Sequence, residues 1–212
     1  TYLERDVAAL DGVRSLRQFE LFYRLLAGRV GQLLNYASIA NEVGVSLNTV
    51  KEWTYILMKG FQVYVLSPYF RSFSKRLVKT PKLYFLDSGL QAYLSGWTEP
   101  ETALTGPMAG QMLENWVVGS LLRSYWHRGQ REPLYFWRTR SGGEIDIWVA
   151  RGGIIDTAEI KLSSRAKESF FAPLRQIDPA PERFGRKVVL SLAERPLQIK
   201  TDLWNVPATL IT

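Results

Sequence analysis

Apolar residues in the first hundred positions recur at helical spacing and then at strand spacing. Stretches with an apolar residue every three or four positions predict three helices, and two runs rich in aromatic and β-branched residues predict two strands. Ser46 is a favourable N-cap for the third helix, and Gly44 suits the tight turn before it. The predicted helices cover residues 11–28, 36–43 and 47–59, and the predicted strands cover 61–66 and 82–86. This order predicts a winged helix-turn-helix domain over residues 1–100.

A second block of elements follows a short predicted helix at 90–94 and a predicted linker at 96–106. Pro207 assigns the last strand of this block to a sheet edge, because proline donates no ladder hydrogen bond. The predicted helices are 107–127 and 163–176, and the predicted strands are 134–137, 144–150, 154–161, 186–192 and 204–211. Their order resembles the restriction-endonuclease-like fold, a mixed sheet flanked by helices, over residues 101–212. The expected fold class is therefore α+β followed by α/β.

The strands at 144–150 and 154–161 carry a group of acidic side chains. Because strand side chains alternate, Glu144, Asp146 and Trp148 are expected on one face, with Ile145, Ile147 and Val149 on the other. By the same spacing, Glu159 and Lys161 share a face. Three carboxylates at one end of a hairpin repel each other unless a cation lies among them. Mg²⁺ or Mn²⁺ is the expected cation, because Mg²⁺ is hard and prefers oxygen ligands.

Other charged residues lie near this predicted site. Glu114 falls on the inward stripe of the preceding helix, where it is expected to meet the metal site or a lysine; the alternative is an edge glutamate paired with an arginine. Arg138 and Arg140 flank the site and suit either a phosphate or the carboxylates. Asp156 alternates onto the opposite face and is left out of the site. His127 is interpreted as a residue of the helix end and not as a base.

Asp146 followed by Glu159-Ile160-Lys161 across a glycine turn resembles the PD-(D/E)xK nuclease superfamily. The position before Asp146 is Ile145, so the Pro-Asp dipeptide of that pattern is not kept. The resemblance implies a Mg²⁺-dependent endonuclease, a hydrolase of phosphodiester bonds. It implies the catalytic residues Asp146, Glu159, Lys161 and Glu114, and the metal ligands Asp146, Glu159 and Glu114, with Glu144 as an additional ligand. Lys161 is expected to stabilise charge on the phosphate or to orient the attacking water.

The charge of the chain fits a polyanionic partner. The formal net charge is +7 and the isoelectric point is about 9.7, which permits binding to nucleic acid. The expected DNA-binding residues are Asn48, Thr49 and Lys51 on the third helix and Arg71, Lys75, Arg76 and Lys79 in the wing. The alternative is a scaffold or protein-binding module, because Glu52 lies on the same helix face.

The composition excludes several classes of protein. Cysteine is absent, which excludes a disulfide framework and a thiolate metal site and is compatible with a reducing compartment. Neither a run of about 18 apolar residues nor a signal peptide is visible, so we expect a cytoplasmic protein without a membrane partner. Position 1 is Thr, so we expect a fragment of a longer protein. The sequence leaves the oligomeric state open.

Four segments together resemble the bacterial and archaeal AAA-type ATPases that carry a C-terminal domain of unknown function. The segments are Tyr2-Leu3-Glu4-Arg5-Asp6-Val7, Tyr84-Phe85-Leu86-Asp87-Ser88-Gly89-Leu90, Gly110-Gln111-Met112-Leu113-Glu114-Asn115 and the acidic strands with Glu159-Ile160-Lys161. The chain has no Gly-x-x-x-x-Gly-Lys-Ser/Thr motif, so the resemblance implies a missing N-terminal ATPase domain. Two functions follow from the sequence: a DNA-binding, Mg²⁺-dependent nuclease region, or a catalytically inactive nuclease-fold module that binds DNA or a protein.

Overall fold

A computed structural model describes residues 15–69, 78–175 and 183–211. The helices are α1 Leu16–Ala27, α2 Tyr36–Val43, α3 Leu47–Lys59, α4 Ser88–Ser95, α5 Pro100–Thr105, α6 Ala109–His127 and α7 Ala172–Arg175. The strands are β1 Val63–Leu66, β2 Lys82–Phe85, β3 Leu134–Arg138, β4 Glu144–Arg151, β5 Ile154–Lys161, β6 Arg183–Ser191, β7 Leu197–Lys200 and β8 Leu203–Pro207. Short 3-10 helices cover Glu168–Phe171 and Ala208–Ile211. The fold is α+β, with a mixed six-stranded sheet and helices.

Local capping explains the first helices. The Ser46 hydroxyl accepts a hydrogen bond from the backbone N–H of Thr49 at 3.0 Å, which begins α3 at the predicted residue. Gly44 ends α2 with φ 75°, a left-handed conformation that glycine adopts without a steric penalty. The predicted bounds of both helices are confirmed. The predicted helix at 11–28 begins at Leu16 within the described residues.

The six-stranded sheet has the order β3-β4-β5-β6-β8-β7, and β1 and β2 form a separate antiparallel pair. The first three strands are antiparallel, β5-β6-β8 are parallel, and β7 is antiparallel to β8. The prediction that the last strand lies at an edge is therefore wrong. The edge is β7, which the sequence pattern did not predict, and Pro207 is only the final paired residue of β8.

Two other predicted segments differ from the structure. The predicted helix at 163–176 is a 3-10 turn followed by the four residues of α7. Pro173 accounts for this, because its ring clashes with the carbonyl one turn earlier and it has no N–H to donate. The predicted linker at 96–106 contains α5, in which Pro100 occupies the first turn as proline favours.

The alternation predicted for β4 holds for Glu144 and Asp146, which face the same cleft, but it is wrong for the residues beyond them. Ile145 and Trp148 belong to one apolar cluster, whereas Ile147 belongs to the other. The pairing of β3 with β4 shifts register between Tyr135 and Trp137, as at a β-bulge. One additional residue in β4 at this point places Ile145 and Trp148 on the same side of the sheet.

One large core joins both blocks of the chain. It contains buried residues from Phe19 in α1 to Ala208 after β8. Tyr23 stacks on Phe85 with ring centroids 5.4 Å apart, and the Phe85 N–H donates to the side chain of Asn115 at 2.7 Å. A smaller core containing Phe171 and Leu174 packs beneath the six-stranded sheet. Across the part of the chain that the structure describes, no helix combines the length and apolar character that a membrane span requires.

Candidate functional site

A polar cleft of about 1180 Å³ lies at the ends of β4 and β5. The five residues predicted as catalytic or metal-binding all line it: Glu114, Glu144, Asp146, Glu159 and Lys161. Asp146 and Glu159 come from the antiparallel neighbours β4 and β5, and Glu114 comes from α6. The β4-β5 hairpin therefore brings Asp146 and Glu159 together, as their spacing predicts, and α6 adds Glu114.

A residue that sequence reasoning missed, Lys82, also lines the cleft. Its Nζ lies 3.0 Å from Glu114 Oε1 and 2.6 Å from Glu144 Oε1, and its side chain is 3% exposed. The sequence pattern places this lysine only at the start of the predicted strand 82–86 and not in the site. Lys82 opens the strand Lys82–Phe85, and the structure buries all four residues of that strand. A buried lysine requires a carboxylate partner, and here it has two.

Glu114 is held by the N-terminal half of the chain. Besides the Lys82 ammonium, its Oε1 accepts a hydrogen bond from the Tyr84 hydroxyl at 2.5 Å. The expected lysine partner is thus observed, and no described arginine pairs with Glu114. Arg138 pairs with Glu144 at 2.9 Å, so of its two expected roles the structure shows the carboxylate contact.

Asp146 and Glu159 are less completely paired than Glu114. Asp146 Oδ2 accepts from the backbone N–H of Ile160 at 2.9 Å, and Glu159 Oε2 accepts from Lys161 Nζ at 2.7 Å. The second oxygen of Glu159, Oε1, is buried without a hydrogen-bond partner in the described structure. A buried carboxylate oxygen without a partner is costly, so this atom favours a proton or a cation beside it.

The electrostatics of the cleft follow from burial and crowding of charge. Burial, followed by repulsion from Asp146, raises the pKa of Glu159 to about 7 against the opposing effect of Lys161. Burial also raises the pKa of Asp146 and that of Glu114. Burial alone lowers the pKa of Lys82, but the carboxylates of Glu114 and Glu144 outweigh it, so that the net pKa is raised and the ammonium stays charged.

The acidic side chains of the cleft offer a divalent ion a small set of ligands. Within residues 15–69, 78–175 and 183–211, no three acidic or histidine side chains are grouped closely enough to hold a metal ion. Mg²⁺, however, commonly uses one or two carboxylates and keeps several waters. Asp146 and Glu159 with its unpartnered Oε1 fit that smaller ligand set. Glu114 and Glu144 are occupied by Lys82.

Two residues that were excluded from the site lie outside the lining of the cleft. Asp156 Oδ1 accepts from the backbone N–H of Arg186 at 2.7 Å, and Asp156 does not line the cleft. His127 is the last residue of α6, as interpreted from the sequence.

The predicted DNA-binding residues are only partly described. On α3, Asn48 and Lys51 are exposed, whereas Thr49 is half-buried and its hydroxyl pairs with that of Ser46 at 2.8 Å. Lys79 is exposed before β2. The predicted wing residues Arg71, Lys75 and Arg76 lie outside the described residues.

Comparison with known proteins matches the two halves of the chain separately. Residues 1–101 match a domain of unknown function (DUF8612), and residues 109–211 match a domain of unknown function (DUF4143). The second domain is typically found in proteins associated with AAA-type ATPases.

Uncharacterized proteins of Mycobacterium bovis and Mycobacterium tuberculosis are each 32% identical to the chain over 165 residues. This alignment covers 77% of the chain and 36% of each relative, so the matched part is about a third of their length. No solved structure matches the chain.

Proposed function

We propose that the chain is the DNA-binding, nuclease-like region of a AAA-type ATPase, and that its cleft hydrolyses phosphodiester bonds with Mg²⁺ or Mn²⁺. The observation that carries the proposal is the convergence of Asp146, Glu159 and Lys161 in one polar cleft on adjacent strands. Glu159 Oε1, which is buried and has no hydrogen-bond partner within residues 15–69, 78–175 and 183–211, supports a cation at this place. Any ATP hydrolysis belongs to a domain outside this chain.

The fold assignment within this proposal has two parts. Three helices followed by the β1-β2 pair support a winged helix. A helix, three antiparallel strands, a short helix and two parallel strands support a restriction-endonuclease-like fold for the second half. Exposed Asn48 and Lys51 support contact between α3 and duplex DNA.

Each side chain has a role that follows from its position. Asp146 and Glu159 would hold the divalent ion, which when bound would activate a water and stabilise negative charge on the phosphate. Lys161 lies 2.7 Å from Glu159 and its side chain is 33% exposed, so its ammonium is accessible to a phosphate in the cleft. Glu114 and Glu144 are both ion-paired with Lys82. Either one could bind the divalent ion only by giving up that ion pair.

A second candidate is a catalytically inactive module that binds DNA or a protein partner. The observation in its favour is that lysine ammonium groups contact three of the four carboxylates in the cleft. Such a set of internal ion pairs satisfies the charges without a metal and has structural parallels in other proteins. The two candidates differ in whether the cleft needs a divalent ion.

The first test is cleavage of plasmid, linear duplex and single-stranded DNA by the full chain with Mg²⁺ or Mn²⁺. We expect metal-dependent cleavage that falls by about 100-fold or more in Asp146→Ala and in Lys161→Ala, since each removes a group at the reacting phosphate. Asp156→Ala is the matched control, because it removes a carboxylate of the same hairpin that does not line the cleft.

Absence of cleavage with either metal, combined with retained duplex binding, would favour the inactive module. The same assay on the longer parent protein with ATP then decides whether the ATPase part activates the cleft. Cleavage that survives both substitutions would place the reaction elsewhere and contradict the proposed site.

A further inference from the structure

The four carboxylates of the cleft fall into two pairs that differ in their cations. Glu114 and Glu144 share the ammonium of Lys82, with Nζ–Oε1 distances of 3.0 and 2.6 Å. Asp146 and Glu159 share no such bridge, since Lys161 contacts Glu159 alone at 2.7 Å. The first pair shares one buried lysine, whereas in the second pair only Glu159 has an ion pair among the described residues.

Lys82 is fixed in this position by its surroundings. Leu66 pairs with it across the β1-β2 ladder, Leu33 forms an isolated bridge with it, and the Phe136 ring lies 5.5 Å from its Nζ. With 3% of the side chain exposed, the ammonium is held at the wall of the cleft by the carboxylates of Glu114 and Glu144. Its positive charge is therefore a permanent part of the cleft.

We infer that Lys82 gives Glu114 and Glu144 the charge compensation that a second divalent ion would otherwise supply, so that the cleft takes one divalent ion per chain. That ion is held by Asp146 and Glu159. This inference rests on the proposed function, because it specifies the number and the ligands of the ions at the same cleft. It also makes the site composite, since Lys82 precedes the matched domain at residues 109–211.

The pairing of Glu159 explains why one ion remains necessary. Lys161 contacts only Oε2, and the buried Oε1 has no hydrogen-bond partner among the described residues. Asp146 likewise uses Oδ2 for a backbone N–H and has no described ion pair with a lysine or arginine. A divalent ion between these two acids satisfies the oxygens that the protein leaves without a cation.

The test counts Mn²⁺ ions bound to the full chain by calorimetry and by electron paramagnetic resonance, without DNA. We expect the wild type to bind one equivalent of Mn²⁺. The variant Asp146→Asn is expected to lose this ion, and Glu114→Gln is expected to retain it. Lys82→Ala removes the shared ammonium from Glu114 and Glu144, which keep only Tyr84 and Arg138 as partners, and creates space beside them. We therefore expect a second equivalent, which the double variant Lys82→Ala/Glu114→Gln loses again. Circular dichroism verifies that each variant is folded.

The outcomes separate this inference from the proposed function. No Mn²⁺ in the wild type overturns both. If the wild type binds one equivalent and Glu114→Gln abolishes it, Glu114 is a ligand of that ion. This result overturns the inference alone. Two equivalents in the wild type, or an unchanged single equivalent in folded Lys82→Ala, also overturn the inference alone. If Lys82→Ala does not fold, the effects of Asp146→Asn and Glu114→Gln on the wild-type ion decide the question.

Discussion

At the scale of single residues, Glu159 is the least satisfied group in the cleft. It is buried, one of its oxygens has no hydrogen-bond partner in the part of the chain that the structure describes, and the neighbouring Asp146 repels its negative charge. Lys161 offsets only part of this cost, so the pKa of Glu159 is raised to about 7. In the metal-free protein, the carboxyl therefore loses its proton near neutral pH and not in the acidic range.

This raised pKa has a consequence for stability in a buffer that contains a chelator. Between pH 4.5 and about 7, the folded protein retains a proton on Glu159 that the unfolded chain releases, so the free energy of unfolding falls as the pH rises. Glu159→Gln removes this contribution and is expected to be more stable than the wild type above pH 7 by roughly 1–3 kcal/mol. Denaturant unfolding at several pH values from 4 to 8 measures the difference.

Glu101→Gln is the matched control, because this exposed glutamate of α5 does not line the cleft. A Glu159→Gln profile that runs parallel to the wild-type profile through the whole pH range would contradict the raised pKa.

At the scale of elements, α3 shows how a capped helix presents polar side chains. The Ser46 cap determines where α3 begins, and Val50, Trp53 and Leu57 bury the opposite face. Asn48 and Lys51 are thereby exposed near the helix N-terminus, where the proposed contact with DNA would lie. Thr49 is partly used by the cap and is less accessible.

The proposed DNA contact predicts a difference between two lysines of α3. Lys51→Ala is expected to weaken duplex binding several-fold and to reduce the slope of log affinity against log salt by about 1, because one phosphate contact is lost. Fluorescence anisotropy at several salt concentrations measures both quantities. Lys59→Ala is the control on the same helix, since Lys59 lies in its last turn over the Tyr55 ring. Equal effects of the two substitutions would indicate non-specific attraction and not a contact by the start of α3.

At the scale of the whole molecule, the two blocks of the chain share one core and one site. The Phe85 ring of β2 packs on Tyr23 of α1, and the backbone N–H of Phe85 donates a hydrogen bond to the side chain of Asn115 in α6. The backbone N–H of Tyr69 donates to the carbonyl of Phe136 at 2.7 Å. The Lys82 ion pairs with Glu114 and Glu144 cross between the blocks at the cleft. Two sequence-matched domains are thus joined by apolar, polar and charged contacts.

This shared core predicts that both blocks unfold in one transition. Phe85→Ala is expected to lower the free energy of unfolding by about 3–5 kcal/mol and to accelerate amide exchange in α1 and in β5 together. Phe61→Ala is the control, because the Phe61 residue is 72% exposed and its loss is expected to cost under about 1 kcal/mol. Faster exchange confined to α1, or two separate unfolding transitions, would contradict a shared core.

Signals close together in the chain determined most of what the sequence could predict. Caps and apolar spacing sufficed for α2 and α3, and glycine turns located β4 and β5. Asp146, Glu159 and Lys161 could be assigned to one cleft because neighbouring strands of a hairpin must lie side by side. The position of Glu114 followed from helical periodicity in α6.

Only the tertiary structure determined the features that join distant segments. The pairing of Lys82 with Glu114 and Glu144, the insertion of β8 between β6 and β7, and the register shift in β4 have no local signal. The sequence by itself therefore determined the elements and the acidic hairpin, because caps, periodicity and turns act over a few residues. The folded chain decided which buried charges compensate each other, because that depends on which surfaces pack together and exclude water.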